Sequence, residues 1–201
     1  MLTKIAVFVS GGGTNLQALI DACQSGIIKS GEIALVLSSN PNAYALERAA
    51  NAGIPTTVVS RKACASPVEF EEKICEALDA HGIEMIVLAG FMSILSADFT
   101  RKYDKKIINV HPSLIPSFCG KDFYGLRVHE AALSYGVKVT GATVHFVNEI
   151  PDGGEIIMQR AVYVQDGDTP EVLQRRVMEE AEWQILPLAC EQVARDLLDN
   201  K

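Results

Sequence analysis

Two polar residues beside a predicted strand have the types and the spacing that acyl chemistry requires. Asn109 lies within the apolar run KIINV, and His111 follows that run directly. Residues two apart in an extended chain point to the same face, so we expect both side chains to reach one cleft. A carboxamide can hydrogen-bond a developing oxyanion, and an imidazole can move a proton near neutral pH. The alternative is a structural histidine at a strand end, which is the commoner role for a lone histidine.

A carboxylate that could complete this pair lies far along the chain, in the loop IPDGG. Asp152 precedes two glycines, which permit backbone angles that could turn the carboxylate inward. Close to the imidazole, it would raise the pKa of His111 and hold the ring in place. An ordinary Asp-Gly turn is the alternative interpretation. We expect Cys119 to be a partly buried thiol rather than a nucleophile, and His145 to be a hydrogen-bonded sheet residue.

A run of three glycines joins the first predicted strand to the first predicted helix. The run spans residues 11–13, and Thr14 and Asn15 follow it. Glycines let backbone N–H groups approach an anion closely, and the N-terminus of a helix adds partial positive charge. Leu16 stands where a dinucleotide fingerprint requires glycine, and no Gly-Lys-Ser/Thr follows as in a P-loop. The loop therefore indicates a phosphate monoester site, with a ligand-free tight turn as the alternative.

Short apolar runs alternate with amphipathic stretches in the first half of the chain, which predicts βαβ units and a parallel sheet. Ser66 and Pro67 mark the start of one helix, and Gly82 marks its end. In the second half, VKVTGATVHFV and EIIMQRAVYVQ predict an antiparallel pair. Residues 169–200 predict a helix that Pro187 breaks or kinks. The expected fold class is α/β: a Rossmann-like, mostly parallel sheet with helices on both faces and antiparallel strands added in the C-terminal half.

Composition and charge restrict the class of protein. The 201 residues are 48% hydrophobic, enough to bury the core of one domain. A net charge of −7 argues against a nucleic-acid partner, whose binding surface is normally basic. No apolar run approaches the ~20 residues of a membrane span, and the N-terminal stretch lacks a signal-peptide cleavage site. Five scattered cysteines without a CxxC pair indicate a reduced, cytoplasmic chain without disulfides or a structural zinc site.

Five motifs occur in an order and at a spacing that resemble a known family. They are SGGGTNLQA, VLAGFMSIL, INVHPSLIPSF, GATVHFV with PDGG, and EAEWQILP. Together they resemble the folate-dependent formyltransferases, and the glycine loop resembles the branch that formylates glycinamide ribonucleotide. The resemblance covers nearly the whole chain. It implies one formyltransferase domain over residues 1–201, with a parallel, phosphate-binding half (1–110) and a half that holds the folate site and the catalytic loop (111–201).

The resemblance also implies a role for each residue that matches a family motif. Asn109, His111 and Asp152 match the catalytic trio, and the stretch 113–126 matches a mobile loop beside the site. The residues implied to bind the ribonucleotide through its phosphate and glycinamide groups are Gly11, Gly12, Gly13, Thr14, Asn15 and Glu182. Those implied to line the folate pocket are Met92, Ser93, Ile94, Leu95 and Asn109.

The reaction that the resemblance implies is transfer of the formyl group of 10-formyltetrahydrofolate to the amine of glycinamide ribonucleotide, the third step of de novo purine biosynthesis. Its partners would be these two small molecules, with no metal, nucleic acid or membrane, and the chain would act as a monomer or a weak homodimer. Two alternatives remain open. A hydrolase that releases formate from the same folate would keep the trio without needing the glycine loop. A non-catalytic nucleotide- or phosphate-binding module would use the loop alone.

Overall fold

A seven-stranded sheet forms the centre of the molecule, and the computed structural model describes all residues, 1–201. The strands are β1 (Thr3–Val9), β2 (Gly31–Ser38), β3 (Thr56–Val58), β4 (Met85–Leu88), β5 (Ile107–His111), β6 (Val139–Phe146) and β7 (Ile156–Tyr163). Their order is β3-β2-β1-β4-β5-β6-β7. The pairs from β3 to β5 are parallel, and β6 and β7 are added antiparallel. The predicted fold class is confirmed.

Seven α-helices accompany the sheet. They are α1 (Thr14–Ser25), α2 (Ala45–Asn51), α3 (Pro67–His81), α4 (Ala97–Lys102), α5 (Leu126–Tyr135), α6 (Pro170–Val177) and α7 (Trp183–Asp199), with a 3-10 turn at Arg61–Ala63 and a π-helical turn at Met178–Glu182. Helices α4 and α5 are not among the elements predicted from the sequence. None of the helices is both long and apolar enough to cross a bilayer. All five cysteines are free.

Successive residues of β1 alternate between two hydrophobic clusters, one on each face of the sheet. Ile5, Val7 and Val9 pack into the larger cluster with residues of α1, α2, α6 and α7. Ala6 and Phe8 pack into the smaller cluster with residues of α3 and α4. Because helices cover both faces, the parallel strands are nearly all apolar. Polar side chains therefore collect at the ends of the strands.

The signals at the two ends of α3 act as the sequence predicts. Ser66 is the N-cap, and its hydroxyl accepts a hydrogen bond of 3.0 Å from the backbone N–H of Glu69. Pro67 occupies the first turn, where its missing N–H costs nothing. Gly82 ends the helix with a left-handed φ of 62°. These residue types fix both ends of α3 locally.

Of the break or kink predicted at Pro187, the break is wrong, because α7 continues through that residue. Pro187 lies inside α7, beyond its first turn, so its missing N–H removes one hydrogen bond of the helix without ending it. The irregularity lies immediately upstream, in the π-helical turn that ends at Glu182. Such turns are rare and are frequently found at functional sites.

The order of the strands reverses between β1 and β4. From β1 the chain continues to β2 and β3 on one side, and then it crosses to β4 on the other side. Open α/β sheets bind ligands at such a switch point, beyond the carboxyl ends of the strands. At this edge residues 10–13 follow β1, residues 89–96 follow β4, and His111 ends β5. Three of the segments singled out in the sequence therefore share one edge of the sheet.

Candidate active site

His111 and Asp152 meet at the carboxyl edge of the sheet. His111 is the last residue of β5, and the loop between β6 and β7 carries Asp152 with a left-handed φ of 55°. The Nδ1 atom of His111 lies 3.5 Å from the Oδ2 atom of Asp152. The side chains are 6% and 14% exposed, respectively. The turn after Pro151 thus carries its carboxylate inward rather than into solvent.

His145 joins Asn109 to this pair. The antiparallel register of β5 and β6 sets Asn109 directly opposite His145. Asn109 Nδ2 donates to His145 Nε2 over 3.2 Å, and Nδ1–H of the same ring donates to the Phe146 carbonyl over 2.7 Å. His145 Nε2 also lies 3.6 Å from Asp152 Oδ1, which is too long for a hydrogen bond. His145 is a hydrogen-bonded sheet residue as expected, but its partner is a candidate catalytic residue, which the sequence analysis missed.

Burial and charge act in opposite directions on the His111 ring. Burial lowers the pKa of His111, and the Asp152 carboxylate and the Phe118 carbonyl offset only part of that shift. Asp152 raises the pKa of His111 as expected, and the net shift is downward because burial outweighs this contact. Burial raises the pKa of Asp152, but the His145 and His111 rings and the Gly120 N–H outweigh it, so the net pKa is lowered. A neutral imidazole beside an ionised carboxylate is ready to accept a proton.

The segment 113–126 covers this pair. His111 Nε2–H donates to the Phe118 carbonyl over 2.9 Å, and the Gly120 N–H donates to Asp152 Oδ2 over 2.8 Å. The first bond fixes the tautomer of the neutral ring, with the proton on Nε2 and a lone pair on Nδ1 toward Asp152. Burial, and then the Asp152 charge, raise the pKa of the Cys119 thiol in the same segment. A raised pKa disfavours the thiolate, so the chemistry does not point to a cysteine nucleophile.

The glycine loop is open to solvent at the N-terminus of α1. Gly11, Gly12 and Thr14 are exposed. Gly13 is the N-cap of α1 with a left-handed φ of 73°, and no acidic side chain lies in the first turn. The positive end of the helix dipole is therefore free to attract an anion.

Glu182 reaches the glycine loop from the far end of the chain. Asn15 Nδ2 donates to Glu182 Oε2 over 2.6 Å. Glu182 ends the π-helical turn and is only 6% exposed. Burial raises the pKa of Glu182, and the Asn15 amide offsets part of that shift. The structure therefore brings together two of the residues expected to bind the ribonucleotide.

A pocket of about 180 Å³ adjoins the trio, and Ser93, Ile94, Leu95, Asn109 and Asp152 all lie along it. Its apolar wall and convergent polar groups are typical of a small-molecule site. Met92, also expected here, does not line the pocket, and its side chain is 59% exposed. Four of the five residues expected to bind folate thus surround one cavity.

Two hydrogen-bond clusters hold the segment that lines this pocket. Both carboxylate oxygens of Glu71, on α3, accept from Ser96, one from its backbone N–H and one from its hydroxyl, each over 2.6 Å. The Ser96 hydroxyl also accepts from the Phe99 N–H over 3.1 Å and so caps α4. At the other end of the segment, the Met92 N–H donates to the Ser10 hydroxyl over 2.9 Å. The segment between the clusters is tied both to α3 and to the end of β1.

A larger groove of about 440 Å³ lies between α1 and α7, and Thr14 is the only predicted site residue along it. The groove contains no member of the trio, so its size does not make it the catalytic site. No group of three or more histidine, cysteine, aspartate or glutamate side chains is arranged to hold a metal ion.

Comparisons with a family model, with related sequences and with solved structures all indicate the same family. The model of the formyl transferase family matches residues 3–190. The chain belongs to the formyl transferase family. It is 43% identical over 187 residues to a phosphoribosylglycinamide formyltransferase of Haemophilus influenzae, covering 93% of this chain and 85% of that protein. The crystal structure of glycinamide ribonucleotide transformylase 1 from Symbiobacterium toebii matches with a TM-score of 0.90 and 41% identity, covering 97% of this chain and 89% of that one.

Some relatives of this formyl transferase family member are much longer. The human trifunctional purine biosynthetic protein adenosine-3 is 46% identical over 191 residues, which is 95% of this chain but 18% of that protein. The chain therefore spans less than a fifth of the length of the trifunctional relatives. The similarity covers the glycine loop, the trio and Glu182, because the family model extends over all of them.

Proposed function

We propose that this protein transfers the formyl group of 10-formyltetrahydrofolate to the amine of glycinamide ribonucleotide. The observation that carries the proposal is the position of the His111–Asp152 pair at the same sheet edge as the open glycine loop. The H. influenzae and S. toebii relatives, whose names state formyl transfer to glycinamide ribonucleotide, support the proposal at 43% and 41% identity.

Each substrate has residues suited to its chemistry. The N-terminus of α1 and the loop residues Gly11–Asn15 take the phosphate, because unpaired amides and the helix dipole favour an anion. Glu182, held by Asn15, takes the glycinamide end. The pocket along Ser93–Leu95 takes the planar pterin of the folate and directs the formyl group toward Asn109.

The first chemical step is attack of the substrate amine on the formyl carbon. A new carbon–nitrogen bond forms, and the carbonyl electron pair moves onto oxygen to give a tetrahedral oxyanion. Asn109 has two amide hydrogens, of which one is used by His145. The second is available to the oxyanion, and losing one such donor typically costs about 10²–10³ in turnover.

The second step moves one proton. Neutral His111 accepts it from the attacking amine at Nδ1, the ring nitrogen that carries no hydrogen. The imidazolium lies beside the Asp152 carboxylate, and its positive charge also stabilises the oxyanion. As the bond from carbon to N10 breaks, His111 returns the proton to N10. The products are formylated glycinamide ribonucleotide and tetrahydrofolate.

The same proposal includes the oligomeric state, the cellular location and the division of the domain. The chain acts on two small molecules, as a monomer or weak homodimer, in the cytoplasm. Residues 1–110 form the phosphate-binding half of one domain, and residues 111–201 provide the catalytic loop and part of the folate pocket.

An absorbance assay of 10-formyltetrahydrofolate tests the proposal. The expected result is consumption of the folate only when glycinamide ribonucleotide is present. Consumption without the ribonucleotide would identify the hydrolase instead. No consumption in either arm, with retained binding of the ribonucleotide, would leave a non-catalytic binding module.

A further inference from the structure

Helix α2 donates hydrogen bonds to two carbonyl groups of the glycine loop. The backbone N–H of Ala45 donates to the Gly11 carbonyl over 3.1 Å. Arg48, on the same helix, donates from Nε to the Gly12 carbonyl over 2.8 Å. Both carbonyl groups therefore point toward α2.

This arrangement sets the direction of two amides. The N–H of a trans peptide points opposite to the carbonyl of the same peptide group. The N–H groups of Gly12 and Gly13 therefore point away from α2, and neither donates to a backbone acceptor within the protein. Successive free amides on one side of a loop form a concave site for an anion. Without the bonds to α2, a carbonyl could turn toward the anion and repel it.

The Arg48 side chain is itself held in place. Its Nη1 donates to Gln17 Oε1 over 3.1 Å, and its guanidinium lies 5.1 Å from the centre of the Tyr44 ring. A Cβ built on Gly13 would lie 3.3 Å from Arg48 Cδ and 2.6 Å from the Ala45 Cβ, so the loop packs closely on α2. None of the ion pairs of the protein includes Arg48. Its positive charge is therefore not neutralised by a carboxylate.

We propose that Arg48 is a positioning residue for the phosphate of the ribonucleotide substrate. It holds the Gly12–Gly13 peptide with its N–H toward the phosphate, and it adds an unpaired positive charge behind the loop. A planar guanidinium can bond Gly12 and Gln17 at once, which a lysine ammonium at the end of a flexible chain does less well. This inference rests on the proposed function, because it assigns a residue to the ribonucleotide site.

Steady-state kinetics with two substrates test the inference. One is glycinamide ribonucleotide, and the other is glycinamide riboside, which lacks the phosphate. In Arg48→Met we expect KM for the ribonucleotide to rise at least about tenfold, with kcat and the KM for folate within about twofold. Activity on the riboside should stay unchanged, so that the preference for the phosphorylated substrate falls at least about tenfold. Arg195→Met, an exposed arginine near the end of α7, is the matched control and should behave as the wild type.

A second variant keeps the inference testable if Arg48→Met is unstable. Arg48→Lys keeps the charge and should lose part of the preference for the phosphorylated substrate. An equal loss on both substrates, or a wild-type preference in Arg48→Lys, would overturn the inference. If the wild type does not turn over, the proposed function fails, and inorganic phosphate then becomes the probe. It should raise the unfolding temperature of the wild type more than that of Arg48→Met, and equal shifts would refute a role for Arg48 at the loop.

Discussion

Two influences act in opposite directions on the protonation of His111. The Asp152 carboxylate favours the protonated ring, while burial favours the neutral one, and burial dominates. The Asp152 carboxylate lies 3.5 Å from the ring. It therefore stabilises the ring more strongly after the ring has taken up a proton than before. In the proposed mechanism, this contact would stabilise the charged ring at the step in which the oxyanion forms.

Removal of either partner should therefore affect turnover more than substrate binding. We expect His111→Ala and Asp152→Asn each to lower kcat by about 10²–10³, with the KM of both substrates within a few-fold. Steady-state kinetics measure this, and unfolding temperatures close to that of the wild type are the control for folding. Near-normal turnover in both variants would show that the trio is wrongly assigned.

The lowered pKa of His111 predicts the pH dependence of the reaction. If neutral His111 is the base, kcat/KM should fall as the pH drops through the pKa of the folded protein, which lies below the ordinary value of 6.5. Asp152→Asn removes a charge that raises this pKa, so its acid limb should move to still lower pH. A wild-type limb at or above the ordinary histidine value would contradict the assignment.

Local residue types predicted part of this site. The remaining contacts join residues that are far apart in the sequence and could not be predicted from local patterns. Spacing along β5 was enough to place Asn109 and His111 on one face. The hydrogen bond between Asn109 and His145 depends on the register of β5 and β6, because the two residues are 36 positions apart in the sequence. The bonds from the 113–126 segment to His111 and Asp152 are equally non-local, and the net pKa of His111 depends on a burial that no motif encodes.

Among the elements, α3 holds the segment that lines the candidate folate pocket through the Glu71 side chain. Glu71→Ala removes both bonds to Ser96 and leaves the start of α4 without its support. We expect KM for 10-formyltetrahydrofolate to rise about five- to thirtyfold, with the KM for the ribonucleotide unchanged, since two hydrogen bonds are lost and each typically contributes about 1 kcal/mol. The exposed neighbour Glu72→Ala is the matched control. A change in the ribonucleotide KM of equal size would argue against a role confined to this pocket.

Near the end of the loop that carries Asp152, the backbone of Gly154 packs directly against the Phe146 carbonyl. A Cβ on Gly154 would lie 1.7 Å from the Phe146 carbonyl oxygen, so the loop must move to accept any side chain. We expect Gly154→Ala to lower kcat at least about tenfold by displacing Asp152. Gly167→Ala is the control: its Cβ meets nothing within 4 Å, and although its left-handed φ of 83° strains any side chain and lowers stability, it should leave kcat unchanged. Equal kcat values in the two variants would refute the dependence on Gly154.

Helix α3, which has strong signals at both ends, was predicted well from the sequence. Ser66, Pro67 and Gly82 define α3 because each acts within one turn of the helix. The short helix α4, which spans only six residues, carries too little periodicity to be recognised. The proline rule alone does not predict that α7 continues through Pro187, because burial of the neighbouring Ile185, Leu186 and Ala189 stabilises the helix there.

At the scale of the molecule, the strand order brings distant segments to one edge. The switch between β1 and β4 places the glycine loop, the pocket segment and the end of β5 together, and the antiparallel β6–β7 pair adds Asp152. The alternation of βαβ units predicted the parallel part of this sheet. The order of its strands, which creates the crevice, could not be read from any local pattern.

Burial of histidine also predicts how the fold responds to acid. Burial, and then the nearby His111 charge, lower the pKa of His129 on α5 to about 4. Between pH 6.5 and 4 the unfolded chain binds a proton at this residue that the folded chain does not, so stability falls as the pH falls. Denaturant unfolding at pH 7.5 and about pH 5 should show a smaller loss for His129→Leu than for the wild type. His81→Leu is the control, and an unchanged loss in His129→Leu would contradict the prediction.

The destination of the formyl carbon tests the account most directly. Carbon-13 NMR can follow 10-formyltetrahydrofolate labelled at the formyl carbon and mixed with the protein and glycinamide ribonucleotide. We predict that the label appears in the new amide of the ribonucleotide, one for each folate consumed, and that no labelled formate accumulates. Label released as formate, with the ribonucleotide unmodified, would contradict the central claim.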